Sequence, residues 1–249
     1  MDALEGLKKM QYESVDLIYA DMMYDDLNLT WIDECFRVLK PNGSIYVQTD
    51  QRSVAQVKLY MDNIFKFRNW IVWCYRGIAR KSNCYQSNHD DILFYTKSDI
   101  FTWNQQFQSP SASTLKRWEK YADENGNIPE DKLTPSMRKK GKTMSIRNTR
   151  MRDWWDDISV VGFKDAPKGK LHTFQKPTEL IKRIILASSN PKDLVLDPFM
   201  GSGTTAFECL ELGRKFIGFE INPEYYKIAN KRLEQNTLNS EGKFFSSQP

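Results

Sequence analysis

Two acidic positions and a glycine-rich turn near the C-terminal end of the chain have the types and spacing for ligand chemistry: Asp197 opens the string DPFMGSGTT, and Glu220 follows it by 23 residues. In an alternating strand and helix unit, the turn leaving a strand lies at the carboxyl edge of the sheet. Glycines there let a ligand approach the backbone N–H groups that start the next helix. Gly201 and Gly203 fit that use, and Glu220 lies near the spacing at which an acid reaches the two hydroxyls of a ribose. This combination points to a nucleoside cofactor. GSGTT is neither GxGxxG nor GxxxxGK[ST], so the dinucleotide and P-loop readings lack their residues. Near the other end, Asp21, Met22, Met23 and Tyr24 follow the apolar run LIYA; taken alone they describe a strand-end turn. Cys35, Cys74, Cys84 and Cys209 are scattered, and only His89 and His172 could join them as ligands, so no metal site is expected. Burial in a reducing compartment explains the cysteines.

Those residues need elements to hold them. The β-rich run 14–20 predicts a strand ending at Asp21, and Ile32, Cys35, Phe36 and Leu39 space like one helical face. Lys40 to Gly43 break that helix before a second strand over 44–48. Residues 70–75 and 91–96 are further strand candidates, separated by a polar loop with Arg76, Arg80 and Lys81. After Pro177, a helical face formed by Leu180, Ile181, Ile184 and Ile185 precedes a compact strand over 193–197. A helix over 205–212, a strand over 215–220 and an amphipathic helix over 224–235 complete a βαβ unit.

From 104 to 157 apolar periodicity fades while Lys116, Arg117, Lys120, Lys132, Arg138, Lys139, Lys140, Lys142, Arg147, Arg150 and Arg152 accumulate. A solvated loop would give such a charge run. Trp103, Phe107, Trp118, Tyr121, Trp154 and Trp155 lie in and beside it, and cationic plus stacking groups equally suit a nucleic acid. The formal net charge of +4 is too small to decide between the two, so distribution carries the argument. At 249 residues the chain has room for one large α/β domain with an insertion. No apolar run is long enough for a membrane span, and the first residues lack a hydrophobic signal core, so a cytoplasmic protein is expected.

DPFMGSGTT closely resembles the cofactor motif of DNA methyltransferases that modify exocyclic amino groups. The resemblance implies that a loop comprising Asp197, Phe199, Gly201, Ser202, Gly203, Thr204 and Thr205 wraps the methionine part of S-adenosylmethionine, and that Glu220, with Asn222 beside it, holds the ribose. HTFQKPTELIK, 172–182, is similar to the family's HPxQKPxxL segment, which would put His172 and Lys176 at the methionine end of the pocket; Thr173 and Phe174 depart from it. DMMY stands where the family has D/N/S-P-P-Y/F/W, without either proline, yet its flanks VDLIYAD and WIDECFRVLKPNGSIYV agree. Catalytic motif first and cofactor motif last is the permuted order of the β class.

By that resemblance Asp21 and the backbone carbonyl of Met22 accept the N–H groups of an exocyclic amine, Tyr24 stacks on an extruded base, and the methyl transfers directly to nitrogen. Two methionines in place of two prolines would leave the loop freer by about 1 kcal/mol. Aspartate at the first position favours adenine N6 over cytosine N4. A protein that binds cofactor and DNA without chemistry is the alternative of another class. The implied partner is DNA, met by Arg76, Arg80, Lys81 and, in the insertion, Lys116, Arg117, Arg138, Lys139, Lys140, Lys142, Arg147, Arg150 and Arg152. A monomer and a symmetric dimer are both compatible, relatives often being dimeric, and a bacterial, archaeal or phage origin is implied. The expected fold is a Rossmann-like α/β domain: a mostly parallel twisted sheet, helices on both faces, and the strands ending at Asp21 and Asp197 side by side. Residues 1–104 would form the catalytic half, 105–157 a target-recognition insertion, 158–235 the cofactor half and 236–249 a polar tail.

Overall fold

The computed structural model describes residues 1–22, 28–75, 83, 85–138, 144–146, 149–160 and 175–239. In chain order the first part is α1 (Ala3–Lys9), β1 (Val15–Asp21), α2 (Trp31–Val38), β2 (Leu39–Thr49), α3 (Val54–Met61), β3 (Lys66–Cys74) and β4 (His89–Thr96). The middle holds β5 (Phe107–Gln108), α4 (Ala112–Trp118), β6 (Asn127–Ile128), α5 (Pro135–Arg138), β7 (Met144–Ser145) and β8 (Thr149–Arg150). The last part is β9 (Trp154–Trp155), α6 (Thr178–Ser188), β10 (Leu194–Asp197), α7 (Thr204–Glu211), β11 (Lys215–Gly218) and α8 (Pro223–Asn239). Two compact units result: 1–104 with 153–249, and 105–152.

In the larger unit seven strands form one sheet in the order β11-β10-β1-β2-β4-β3-β9. β1 pairs in parallel with β10, Leu17 opposite Val195 and Ile18 opposite Leu196, so Asp21 and Asp197 end neighbouring strands at one sheet edge. β2 and β11 extend the parallel half on either side, while β4 runs antiparallel to both β2 and β3. Alternation of side chains sets the layers. Ile18, Ala20, Ile45, Val47, Leu93, Tyr95 and Leu196 face a buried cluster with Leu7 of α1, Ile32 and Cys35 of α2 and Val57 and Met61 of α3. On the opposite face the Tyr46 hydroxyl meets the Ser188 hydroxyl of α6 at 2.7 Å. Asp16 fastens the other end of β1: its carboxylate takes the Lys40 ammonium at 2.7 Å and the Leu194 N–H at 2.9 Å, joining β1 to both neighbours.

Where a helix break over 40–43 was expected, β2 already begins at Leu39. The break is absorbed as a bulge instead, Val15 facing Leu39 and Leu17 facing Ser44. No helix among the described residues is long and apolar enough to cross a membrane.

The smaller unit contains two short antiparallel ladders, β5 with β8 and β6 with β7, and a small core of Trp118, Ile128 and Leu133. Its boundary falls at Arg152, not at Asp157, because Trp154 and Trp155 pair with Val72 and Trp73 of β3 as the last strand of the large sheet. A two-residue strand is too short to show any alternation in sequence, which is why the segment read as part of the insertion. Asp157 then holds Arg183 of α6 through two parallel bonds of 3.0 and 2.7 Å.

Candidate active site

Asp21 ends β1 with its carboxylate partly buried, 2.9 Å from the Lys176 ammonium. Burial raises its pKa above the usual carboxylate range; Lys176 opposes the rise and the negative charge of Asp90 adds to it. Lys176 lies 3.8 Å from Asp90 as well. Asp90 comes from the start of β4, which the antiparallel direction of that strand brings to the edge where β1 and β2 end. It accepts the Gln48 side-chain amide at 2.8 Å and the Tyr75 hydroxyl at 3.0 Å, and Gln48 in turn accepts the Tyr19 hydroxyl at 2.6 Å. Gln48 and Tyr19 are buried, so this polar chain is fixed from below. Sequence reading missed Tyr19, Gln48, Tyr75 and Asp90. The one signal was the amide in the apolar strand SIYVQ, since a polar side chain in a buried run needs a partner.

Met22 follows Asp21 as a buried residue, 3% exposed, with its side chain in the cluster under α2 and α3. Its N–H reaches the Gln48 carbonyl at 3.3 Å. Packing thus holds the Met22 side chain in the core. Met23 and Tyr24 lie outside the described residues, as do His172, Arg76, Arg80 and Lys81.

On the neighbouring strand Asp197 is buried and organises the turn: one carboxylate oxygen accepts the Phe199 N–H at 3.0 Å and the other the Thr205 hydroxyl at 2.6 Å. Burial pushes this carboxyl up to about 7, the charges of Asp21 and Glu220 adding to the rise while Thr205 and Phe199 oppose it. Glu220 closes the loop by accepting the Gly201 N–H at 2.8 Å and the Asn222 N–H at 2.7 Å. Each carboxylate oxygen thereby keeps acceptor capacity for a further donor. Gly201 and Gly203 have φ of +53° and +76°, the left-handed region. Among the described residues, a Cβ on Gly201 would meet only the Phe199 carbonyl, at 3.9 Å, which leaves one side of the turn open to them.

These residues fit S-adenosylmethionine. Its ribose offers two hydroxyl donors, its sulfonium and amino groups are cationic, and the open turn between two carboxylates complements both. Other expected contacts have structural partners here. Phe199 packs edge-on against Trp31 with ring centres 5.0 Å apart, Ser202 is buried, and the Thr204 hydroxyl accepts Arg232 of α8 at 3.2 Å. Asn222 caps α8 by accepting the Glu224 N–H at 2.9 Å. No cluster of three or more metal-ligating side chains occurs among the described residues.

In the smaller unit, Lys116 and Arg117 are exposed on α4, and Arg150 and Arg152 are exposed at and beyond β8. Arg138 is committed locally, donating to the carbonyls of Leu133 at 2.9 Å and Asp131 at 2.5 Å. Lys139, Lys140, Lys142 and Arg147 lie outside the described residues. Two aromatics read as stacking groups are core instead: Trp118 is buried within the small unit, and Trp155 is buried in the large one beneath the Arg183 guanidinium, 5.0 Å from its ring centre.

Comparison with known proteins agrees with this geometry. The profile of the N6/N4 DNA methylase family matches residues 7–231. The chain is 36% identical to the DNA adenine methyltransferase YhdJ of Escherichia coli (strain K12), covering 94% of this chain and 81% of that protein. It is 36% identical to the type II methyltransferase M1.MboII of Moraxella bovis over 96% of each, and 33% identical to the type II methyltransferase M.HpaI of Haemophilus parainfluenzae over 94% of this chain and 72% of that one. Among solved structures, M1.HpyAVI in complex with SAM superposes with a TM-score of 0.62 at 26% identity, covering 93% of this chain and 96% of that one.

Proposed function

The chain belongs to the N6/N4 DNA methylase family, and from that membership we propose that it transfers the methyl group of S-adenosylmethionine to the N6 amino group of adenine in DNA. The observation that carries the proposal is the parallel pairing of β1 with β10, which sets the end of the Asp21 strand beside the end of the cofactor strand. A cleft at the carboxyl ends of neighbouring parallel strands is where such sheets bind ligands.

The bound cofactor supplies a methyl group on a cationic sulfur, ready for in-line displacement. The residues of the chain supply the rest. Asp197, Glu220 and the Gly201 to Gly203 turn hold the donor. Asp21 accepts an N–H of the target amine, which raises electron density on a nitrogen otherwise delocalised into its ring, and the Met22 carbonyl is the second acceptor. After transfer the nitrogen must shed a proton, and the Asp21 carboxylate, which accepts its N–H, can take it. Tyr24 stacks on the extruded base. Positioning and electrostatics account for the rate, with no covalent nucleophile. Cys35 and Cys209 are buried with thiol pKa values pushed up by desolvation, which suits packing and not attack. An aspartate at position 21 and the name of the YhdJ relative support adenine. The unit 105–152, with Lys116, Arg117, Arg150 and Arg152 outward, is the proposed target-recognition element.

Transfer of labelled methyl to unmodified DNA, followed by nucleoside analysis, tests this reading. N6-methyladenine that disappears in Asp21→Ala is expected. N4-methylcytosine would change the base, and cofactor binding without any product would make the chain a binding protein.

A further inference from the structure

Lys176 occupies the carboxylate that the proposed reaction needs. Its ammonium is 2.9 Å from an Asp21 oxygen, and a second carboxylate, Asp90, is 3.8 Å away from the same nitrogen. Asp90 cannot swing freely: Gln48 and Tyr75 hold its two oxygens at 2.8 and 3.0 Å, and Tyr19 holds Gln48. Each of those oxygens still has acceptor capacity for an ammonium. The lysine stem is a flexible four-carbon chain carrying a point charge, so a move of about 1 Å exchanges one partner for the other.

We propose that Asp90 is a positioning residue that receives the Lys176 ammonium when a target amine enters, leaving Asp21 free to accept its N–H. The inference rests on the methyltransferase reading of Asp21. Two carboxylates share one ammonium in this recess. Loss of the lysine from Asp21 without a waiting partner would leave a partly buried cation and a partly buried anion unpaired, at a desolvation cost. With Asp90 in place the positive charge stays solvated by the protein, and Asp21 regains basicity as the ammonium departs. Among the described residues, the charged and titratable groups facing Asp21 are Lys176, Asp90 and, from the neighbouring strand, Asp197; Tyr75 faces Asp90.

The test uses Asp90→Asn, which keeps the side chain's size and removes its charge. Lys176 then stays with Asp21, and Asp21 loses a like charge, so both changes lower the Asp21 pKa. Carbon-13 NMR of labelled aspartates in the full-length protein should show the Asp21 carboxyl titrating lower than in wild type, whether or not the protein turns over. In methyl transfer, kcat should fall roughly tenfold or more, with KM for DNA and cofactor affinity within about twofold and the acid limb of the pH profile displaced downward. In a Lys176→Met background the Asp90→Asn penalty should shrink to under about threefold, because nothing remains to be exchanged. Tyr75→Phe keeps the Asp90 charge but removes a hydroxyl that holds it in place, so kcat should fall by less while the Asp21 titration moves up and not down; this opposite sign serves as the test if Asp90→Asn does not fold. An unmoved Asp21 titration, or an equal penalty in both backgrounds, overturns the proposal. A moved titration in a protein that transfers no methyl leaves the coupling standing and overturns the methyltransferase reading instead.

Discussion

At the scale of single residues, the site depends on carboxylates held where water would not leave them neutral. Asp197 has its pKa raised from 3.8 to about 7 by burial. The unfolded chain therefore releases this proton at lower pH than the folded one, and between about pH 4 and 7 the folded state binds more protons. Stability consequently falls as pH rises through that window. Urea midpoints near pH 5 and pH 8 should show this loss in wild type and a smaller loss in Asp197→Asn; Glu208, raised to about 7 mainly by burial, keeps the variant from becoming flat. Met22 gives a second expectation. Restoring the family proline there removes the N–H that reaches Gln48 and empties a buried thioether site, so Met22→Pro should destabilise by about 2 kcal/mol in denaturant unfolding. Asp197 and Glu220 were legible in the sequence from the glycine-rich turn and the 23 residues between them, whereas Asp21 stood out only through the resemblance of its flanks to the family. The pairing of Lys176 with Asp21 was not legible, since only the folded sheet brings two such distant residues together.

At the scale of elements, the turn between β10 and α7 is the most constrained. Gly203 has a left-handed backbone, and a Cβ there would come within 2.9 Å of the Ala229 Cβ on α8. Gly203→Ala should cost about 2 kcal/mol or more of stability and weaken cofactor binding measured by calorimetry. The strands β1, β2 and β10 could be read from β-rich runs bounded by turn residues. Their parallel course followed from the alternation of strands and helices, but the direction of β4 did not, because a run of side chains does not reveal which way its neighbour travels. The antiparallel course of β4 thus escaped, and with it Asp90. Trp118 and Trp155 show the converse error: an aromatic beside lysines reads as a stacking group, yet a large ring is also what a small core needs.

At the scale of the whole molecule, the two units divide the proposed labour. Replacing 105–152 by a Gly/Ser linker should leave cofactor binding within a few fold. Affinity for DNA should fall, with a shallower dependence on salt, because fewer phosphate contacts release counterions. Unchanged affinity and slope in a filter-binding titration would place DNA contact elsewhere. The order of strands has a consequence for how the protein is made. β1 is central in the sheet and is made long before its neighbour β10, Leu17 facing Val195. Until β10 has been made, one edge of β1 therefore has no native partner, and the nascent chain carries an apolar strand edge open to misplaced pairing. Rare codons or a pause placed before β10 would lengthen that exposure, so the yield of folded enzyme should respond to elongation rate there more than anywhere upstream.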